Sequence, residues 1–287
     1  VMQCPGGSLR DAAEEQQRPP GPGDRTYLDM STQDKEPAAL AAPQPFEEWD
    51  FEGLGPGRGR NPEYNEQRLR ARRRLGALAK AFVGRAEGEG LPLDSRTSIH
   101  NPHAFNGNRV ERLWAYITRP KKEKARLKKV VGADLAKDLD QAYRNAYFCV
   151  ALEYEALEVS LRIHPDAWFD GQNLVKRVKR EGSRELLALL RPLAGYRLRL
   201  ADWRGDWPCA TLTPESLNEF LRFYTPGEHL FAIERRWPAA PGSRSTVLGA
   251  DVPALVVDEL SRLAPVYRWL VQKKVKPRLA STITTIR

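Results

Sequence analysis

Cysteine and long apolar runs are scarce in this sequence of 287 residues. The three cysteines (Cys4, Cys149 and Cys209) are an odd number and too few for a disulfide framework, which is typical of a reducing compartment. No run approaches the roughly 20 consecutive apolar residues that cross a bilayer, and the first 45 residues lack a signal-peptide pattern. The sequence therefore predicts a cytoplasmic protein that does not associate with membranes.

Several catalytic and cofactor motifs are also missing. The sequence has no Gly-x-Ser-x-Gly nucleophile turn, no Walker-type phosphate loop, no glycine fingerprint for dinucleotides and no Cys-x-x-Cys pair. The common nucleophile and cofactor classes lose support, so we predict no cofactor, and the missing Cys-x-x-Cys pair leads us to predict no structural zinc site. The chain starts at Val1, which is typical of a translated open frame or a fragment, with Met2 and Met30 as candidate starts.

Proline, glycine and charge are unevenly distributed. Residues 1–62 contain nine prolines and eight glycines without sustained periodicity, so we predict a disordered tail there. Residues 1–61 carry 6 Lys and Arg against 11 Asp and Glu, a net charge of −5. Because the whole chain has 46 basic and 37 acidic residues, residues 62–287 retain 40 and 26, a net charge of +14. We predict one domain over 63–272, followed by a basic tail over 273–287.

Hydrophobic periodicity mixes helices with strands along the predicted domain. Helical spacing covers 63–87, a short helix is predicted over Arg109–Ile117, and the segment 88–108 reads as a loop. Alternating apolar and polar residues over 157–163 give the clearest strand, which forms a hairpin with the apolar run 147–154. Since further strands also pair as hairpins, we predict an α+β fold with a mainly antiparallel sheet packed by helices.

Basic residues cluster in two of the predicted helices, over 63–87 and 119–131. If these helices share one surface, their cations form the electrostatic footprint of a protein that binds phosphate backbones. The alternative is a set of solvated helix faces. We predict binding of nucleic acid or another polyanion, and the predicted phosphate contacts are Arg70, Arg73, Arg74, Lys121, Lys122, Lys124, Lys128 and Lys129.

Two tryptophans flank a predicted turn, at Trp203 and Trp207, beside a strand that presents Arg197 and Arg199. Exposed tryptophans stack on unpaired bases while arginines hold the phosphates. The competing interpretation is that both rings pack inside the protein.

A second hypothesis is a hydrolase-like enzyme. Its site would combine two histidines of one loop, His100 and His103, with the carboxylates Glu158, Asp166 and Asp170, because clustered carboxylates suit acid–base or metal chemistry. The alternative is that Glu158 lies on a solvated strand face and Asp166 favours a helix start.

A third hypothesis is an interaction scaffold. In residues 45–51 aromatic side chains interleave with acidic ones, and such a segment folds on a protein partner or is a chance cluster in a tail.

Overall fold

The computed structural model describes residues 42–102, 106–131, 142–200 and 205–271. Within these ranges the sheet strands are β1 Asp94–Thr97, β2 Arg112–Thr118, β3 Tyr147–Glu153, β4 Ala156–Ile163, β5 Arg197–Leu200, β6 Trp207–Pro208 and β7 Phe231–Pro238. The α-helices of the same ranges are α1 Glu48–Glu52, α2 Asn65–Gly88, α3 Lys121–Val131, α4 Trp168–Glu181, α5 Ser183–Leu190, α6 Pro214–Phe223, α7 Ser245–Leu248 and α8 Val252–Val271.

The seven strands form one sheet in the order β1-β2-β3-β4-β7-β5-β6, and every neighbouring pair is antiparallel. The predicted α+β class with an antiparallel sheet is confirmed. The first predicted hairpin is β3–β4, which turns through Tyr154 and Glu155. The second is β5–β6, although its return strand is only two residues long.

The alternation in β4 separates the two faces of the sheet. Its residues Leu157, Val159 and Leu161 point to one side, which we call the helix face, and each is at most 1% exposed. On the same face Phe148 of β3 contacts Phe82 of α2 and Tyr267 of α8, with ring centroids 4.9 and 4.7 Å apart. Helices α2 and α8 therefore cover this side, where each buried large apolar side chain contributes about 1.5–3 kcal/mol.

Two strands replace elements that the sequence predicted differently. The segment Arg109–Ile117, predicted as a short helix, contains β2, and the predicted loop 88–108 contains β1. The apolar residues of β2 fit either period, but the pairing of β2 with β1 and β3 fixes an extended chain. Leu113, Ala115 and Ile117 then reach the helix face together and are fully buried.

The prediction of a disordered tail over 1–62 is wrong for residues 42–62. Phe46, Phe51 and Leu54 are at most 2% exposed and belong to the core. The many prolines and glycines and the lack of periodicity predict disorder. The side chains of this segment are nevertheless ordered by contacts with residues far along the chain. Arg74 of α2, for example, pairs with Asp50 of α1.

Arg68 of α2 fastens this N-terminal segment to the domain. Its side chain is fully buried and donates hydrogen bonds to the backbone carbonyls of Gly53, Arg58 and Asn61 at 2.8–3.0 Å. A fourth bond, 3.1 Å long, reaches the carbonyl of His100. One guanidinium thus supplies a donor to the Gly53 carbonyl and a second donor to each of the carbonyls of Arg58 and Asn61, which also accept from the backbone N–H groups of Asn61 and Tyr64.

In the part of the chain that the structure describes, no helix is long and apolar enough to span a bilayer.

Candidate functional site

The face of the sheet opposite the helix face carries a dense set of charged and aromatic side chains, which we call the arginine face. Strand register places them side by side, because residues paired across antiparallel strands point the same way. The arginine face consists of Arg112, Trp114 and Tyr116 of β2, Tyr147, Cys149 and Glu153 of β3, Glu158, Ser160 and Arg162 of β4, Glu234 and Arg236 of β7, and Arg197 and Arg199 of β5.

Glu158 is the centre of this face and is completely buried. Its carboxylate accepts hydrogen bonds from Arg162 at 2.6 Å, Arg236 at 2.9 Å and Arg112 at 3.0 Å. Ser160 donates a further bond at 2.7 Å. Burial by itself would raise the pKa of Glu158, but the charges of Arg162 and Arg112 outweigh it and hold that pKa well below the usual range. Glu158 therefore stays ionised.

Two more carboxylates join the same network. Glu153 pairs with Arg112 at 2.5 Å and with Arg236, while Glu234 contacts Arg162 at 3.4 Å. The pKa of Glu234 is raised, first by burial and then by the negative charge of Glu158. The pKa values of Glu158 and Glu234, two carboxyl groups of the same face, are thus shifted in opposite directions.

The nucleophilic side chains of the arginine face stay protonated near neutral pH. Burial raises the pKa of Tyr147 to about 12 and also raises the pKa of the Cys149 thiol. A buried thiol of this kind is a poor nucleophile. Neither Tyr147 nor Cys149 is therefore an activated nucleophile on this face.

The predicted phosphate contacts on α2 have unequal surroundings. Arg74 is 12% exposed and pairs with Asp50 and Glu47, so it is a structural residue. Arg70 lies 4.0 Å from Glu66 and is 45% exposed. Arg73 is exposed.

The predicted contacts on α3 divide in a similar way. Lys121, Lys122 and Lys129 are exposed, and Lys128 is half-buried. Lys124 is 2% exposed and points into the protein. Helix α3 therefore exposes some of its lysines to solvent and buries Lys124.

The stacking role predicted for the tryptophans is not available to Trp207. Its ring is 7% exposed and packs edge-on against Phe220 of α6, with centroids 5.1 Å apart. Trp207 is thus a core residue. Trp203 lies outside the described residues.

The residues of the enzyme hypothesis do not come together. Glu158 lies on the arginine face. Asp170 accepts hydrogen bonds from Arg119 at 2.7 and 2.8 Å beside Tyr267 of α8, the helix that covers the opposite face of the sheet. Asp166 is next to His164, whose Nδ1 accepts a bond from the Asp166 backbone. Glu158 does not lie on a solvated strand face as the alternative interpretation predicted, because three arginines and Ser160 enclose it.

The histidine pair of that hypothesis gives no site either. His100 contributes its carbonyl to Arg68, and burial together with nearby arginines lowers the pKa of its imidazole. His103 lies outside the described residues. Among the residues that are described, no three His, Cys, Asp or Glu side chains form a group that could hold a metal ion.

The segment 45–51 of the scaffold hypothesis is largely packed into the fold. Phe46 and Phe51 are core residues, and Asp50 is 1% exposed. Trp49 is 52% exposed, so it alone of the segment's aromatic side chains offers a large surface to a partner.

No protein-family model matches the chain, and no curated protein matches it.

The sequence did not predict that the residues of the arginine face lie together on one side of the sheet. The signal for this face was present in β4, where Glu158, Ser160 and Arg162 alternate with apolar residues. The contribution of β2 was hidden because that segment was predicted as a helix. A strand there brings Arg112 opposite Glu153.

Proposed function

We propose that the protein binds nucleic acid by its phosphate backbone, through the outward cations of α2 and α3. The observation that carries the proposal is the set of exposed basic side chains that remain after the internal ion pairs are assigned. On α3 these are Lys121, Lys122, Arg126 and Lys129, and on α2 they include Arg73 and Lys80.

The charge of the chain supports a polyanionic partner. Residues 62–287 carry a net charge of +14. Many of their arginines are neutralised within the fold, as Arg74 is by Asp50. The exposed cations of α3 share the helix with a single acidic residue, Glu123. Such a cationic stripe attracts phosphates and gains affinity from the release of counterions.

Not all of the predicted phosphate contacts can belong to the proposed surface. Arg74 and Lys124 leave the set of direct contacts because both are engaged or buried within the protein. The binding surface we propose consists of the exposed cations Arg70, Arg73, Lys80, Lys121, Lys122, Arg126 and Lys129. Lys128, which is half-buried, is not part of it. The surface uses no base-specific contact, so we expect little dependence on sequence.

The test is binding of the full chain to a fluorescent DNA duplex and to heparin at low salt. A triple variant with Lys121, Lys122 and Lys129 each changed to Gln should bind both probes more weakly than the natural chain. The matched control removes three exposed cations of α4, through Lys176→Gln, Lys179→Gln and Arg180→Gln.

The control keeps general loss of charge apart from loss of a specific surface. We expect the α4 variant to bind nearly as tightly as the natural chain. Equal weakening in both triple variants would contradict a surface on α2 and α3, and absence of binding by the natural chain at low salt would remove the proposal altogether.

A further inference from the structure

A small cavity opens at one end of the arginine face, between β5 and β7. Its volume is about 200 Å³, and it is lined by Gly195, Arg197, Arg199, Glu234 and Arg236. Arg197 pairs across the strands with Glu234, and Arg236 follows two residues later on the same side of β7. Three guanidinium groups and one carboxyl group therefore line the cavity.

Arg197 and Arg199 are partly engaged by other groups. Arg197 contacts Asp206 at 2.6 Å and remains 53% exposed. Arg199 approaches Glu234 through its Nε at 3.5 Å, which is longer than a charge-assisted hydrogen bond, and remains 46% exposed. Because a guanidinium carries five N–H donors, both keep donors for a bound anion.

The inner wall of the cavity is held from behind. Arg236 is fixed by Glu153 and Glu158, and Glu234 is 14% exposed and lies against Arg162. These contacts place the guanidinium of Arg236 and the Glu234 carboxyl before any ligand arrives. A prearranged site loses less entropy on binding than a flexible one.

The charge of the lining favours an anion. The lining itself presents three arginines and the single carboxyl of Glu234, whose pKa is raised by burial and by Glu158. With the groups behind the lining counted, five arginines face four carboxyl groups, which leaves a net charge of +1: Arg112, Arg162, Arg197, Arg199 and Arg236 against Glu153, Glu158, Asp206 and Glu234. Arginine pairs with phosphate through two parallel hydrogen bonds, which a fork of donors on neighbouring strands allows. The volume equals that of about seven liquid waters, so it admits a phosphate and a few attached atoms.

We propose that this cavity binds the phosphate group of a small ligand, with Arg197, Arg199 and Arg236 as its donors. The site lies on β5 and β7 and does not depend on the nucleic-acid surface proposed for α2 and α3. Gly195 has a φ of +86°, which disfavours any other residue, and a Cβ at this position would meet the guanidinium of Arg235 at 3.0–3.1 Å.

Calorimetric titration of the full chain with inorganic phosphate, at an ionic strength held constant with chloride, tests the site. We expect saturable binding that Arg199→Gln weakens about 10- to 100-fold, the loss of one charge-assisted contact. Glu234→Gln should tighten binding, because it removes the opposing carboxyl. The control is Arg85→Gln, since Arg85 is also 46% exposed and is paired with carboxylates, those of Asp258 and, at 3.9 Å, Glu89.

Each other outcome overturns part of the proposal. Absence of saturable binding, or equal affinity in Arg199→Gln and the natural chain, would remove the site. Loss of phosphate binding in the α3 triple variant would place the phosphate on the helices instead. Abolition of phosphate binding by a saturating DNA duplex would assign the cavity to a nucleic-acid backbone and contradict a small ligand.

Discussion

Arg236 of β7 is paired with Glu158 of the adjacent strand β4, and its Nη1 donates to the Glu158 carboxylate at 2.9 Å. The carboxylate is 1% exposed, and it also accepts from Arg112 and Arg162. A single buried charge thus organises three arginines of one sheet face. Arginines that lack such a partner would repel one another at these distances.

Replacing Glu158 should destabilise the protein strongly. Glu158→Gln keeps the shape of the side chain but leaves three guanidiniums without their shared counter-charge, and we expect a loss of about 3–5 kcal/mol in the free energy of unfolding. Glu153→Gln is the control, since Glu153 is 28% exposed and its loss should cost about 1 kcal/mol or less. Urea denaturation measures both, and equal effects would show that Glu158 does not organise the face.

The same carboxylate gives the stability a pH dependence. Because its pKa in the folded protein is below the ordinary 4.5, Glu158 adds stability that is complete above that value and is lost as the pH falls through the folded pKa. The free energy of unfolding of the natural chain should therefore decrease more steeply below about pH 4.5 than that of Glu158→Gln. Parallel curves for the two proteins would contradict the assignment.

The buried guanidinium of Arg68 should not tolerate replacement by lysine. Lysine keeps the charge but has no planar fork of donors, so the carbonyls of Gly53, Arg58 and Asn61 lose partners. We expect Arg68→Lys to cost about 2–4 kcal/mol in denaturation, because the carbonyls of Gly53 and His100 lose the Arg68 donor at roughly 1–3 kcal/mol each, while those of Arg58 and Asn61 keep a backbone donor. Arg73→Lys, at an exposed position of the same helix, should change stability by less than about 0.5 kcal/mol.

The aromatic residues of α1 should separate into core and surface. Phe51→Ala removes a fully buried ring and is expected to cost about 3–5 kcal/mol. Trp49→Ala, two residues away and 52% exposed, should cost less than about 1 kcal/mol. Thermal or urea unfolding distinguishes them, and a small effect of Phe51→Ala would mean that residues 42–62 are not part of the cooperative core.

The sequence predicted elements whose local pattern agrees with their final environment. The alternation of Leu157, Val159, Leu161 and Ile163 marked β4, and the helical spacing of Leu75, Leu78 and Phe82 marked α2, found at Asn65–Gly88 instead of the predicted 63–87. In both cases one face of the element meets the core. The period alone then identifies the structure.

Elements determined by distant partners could not be found in this way. The chain over Arg112–Thr118 is extended because two strands pair with it, and Phe46 and Phe51 are buried because the core accepts them. The candidate surfaces show the same limit. Arg73 and Arg74 are neighbours in sequence, yet only Arg74 has Asp50 within reach.

The salt dependence of DNA binding tests the proposed function most directly. For the natural chain the logarithm of the association constant should fall linearly with the logarithm of salt concentration. Each lysine that contacts a phosphate adds about 0.9 to that slope. The triple variant Lys121→Gln, Lys122→Gln, Lys129→Gln should therefore show a slope smaller by about 3, while the α4 variant keeps the natural slope. An unchanged slope in the α3 variant would contradict binding through this helix.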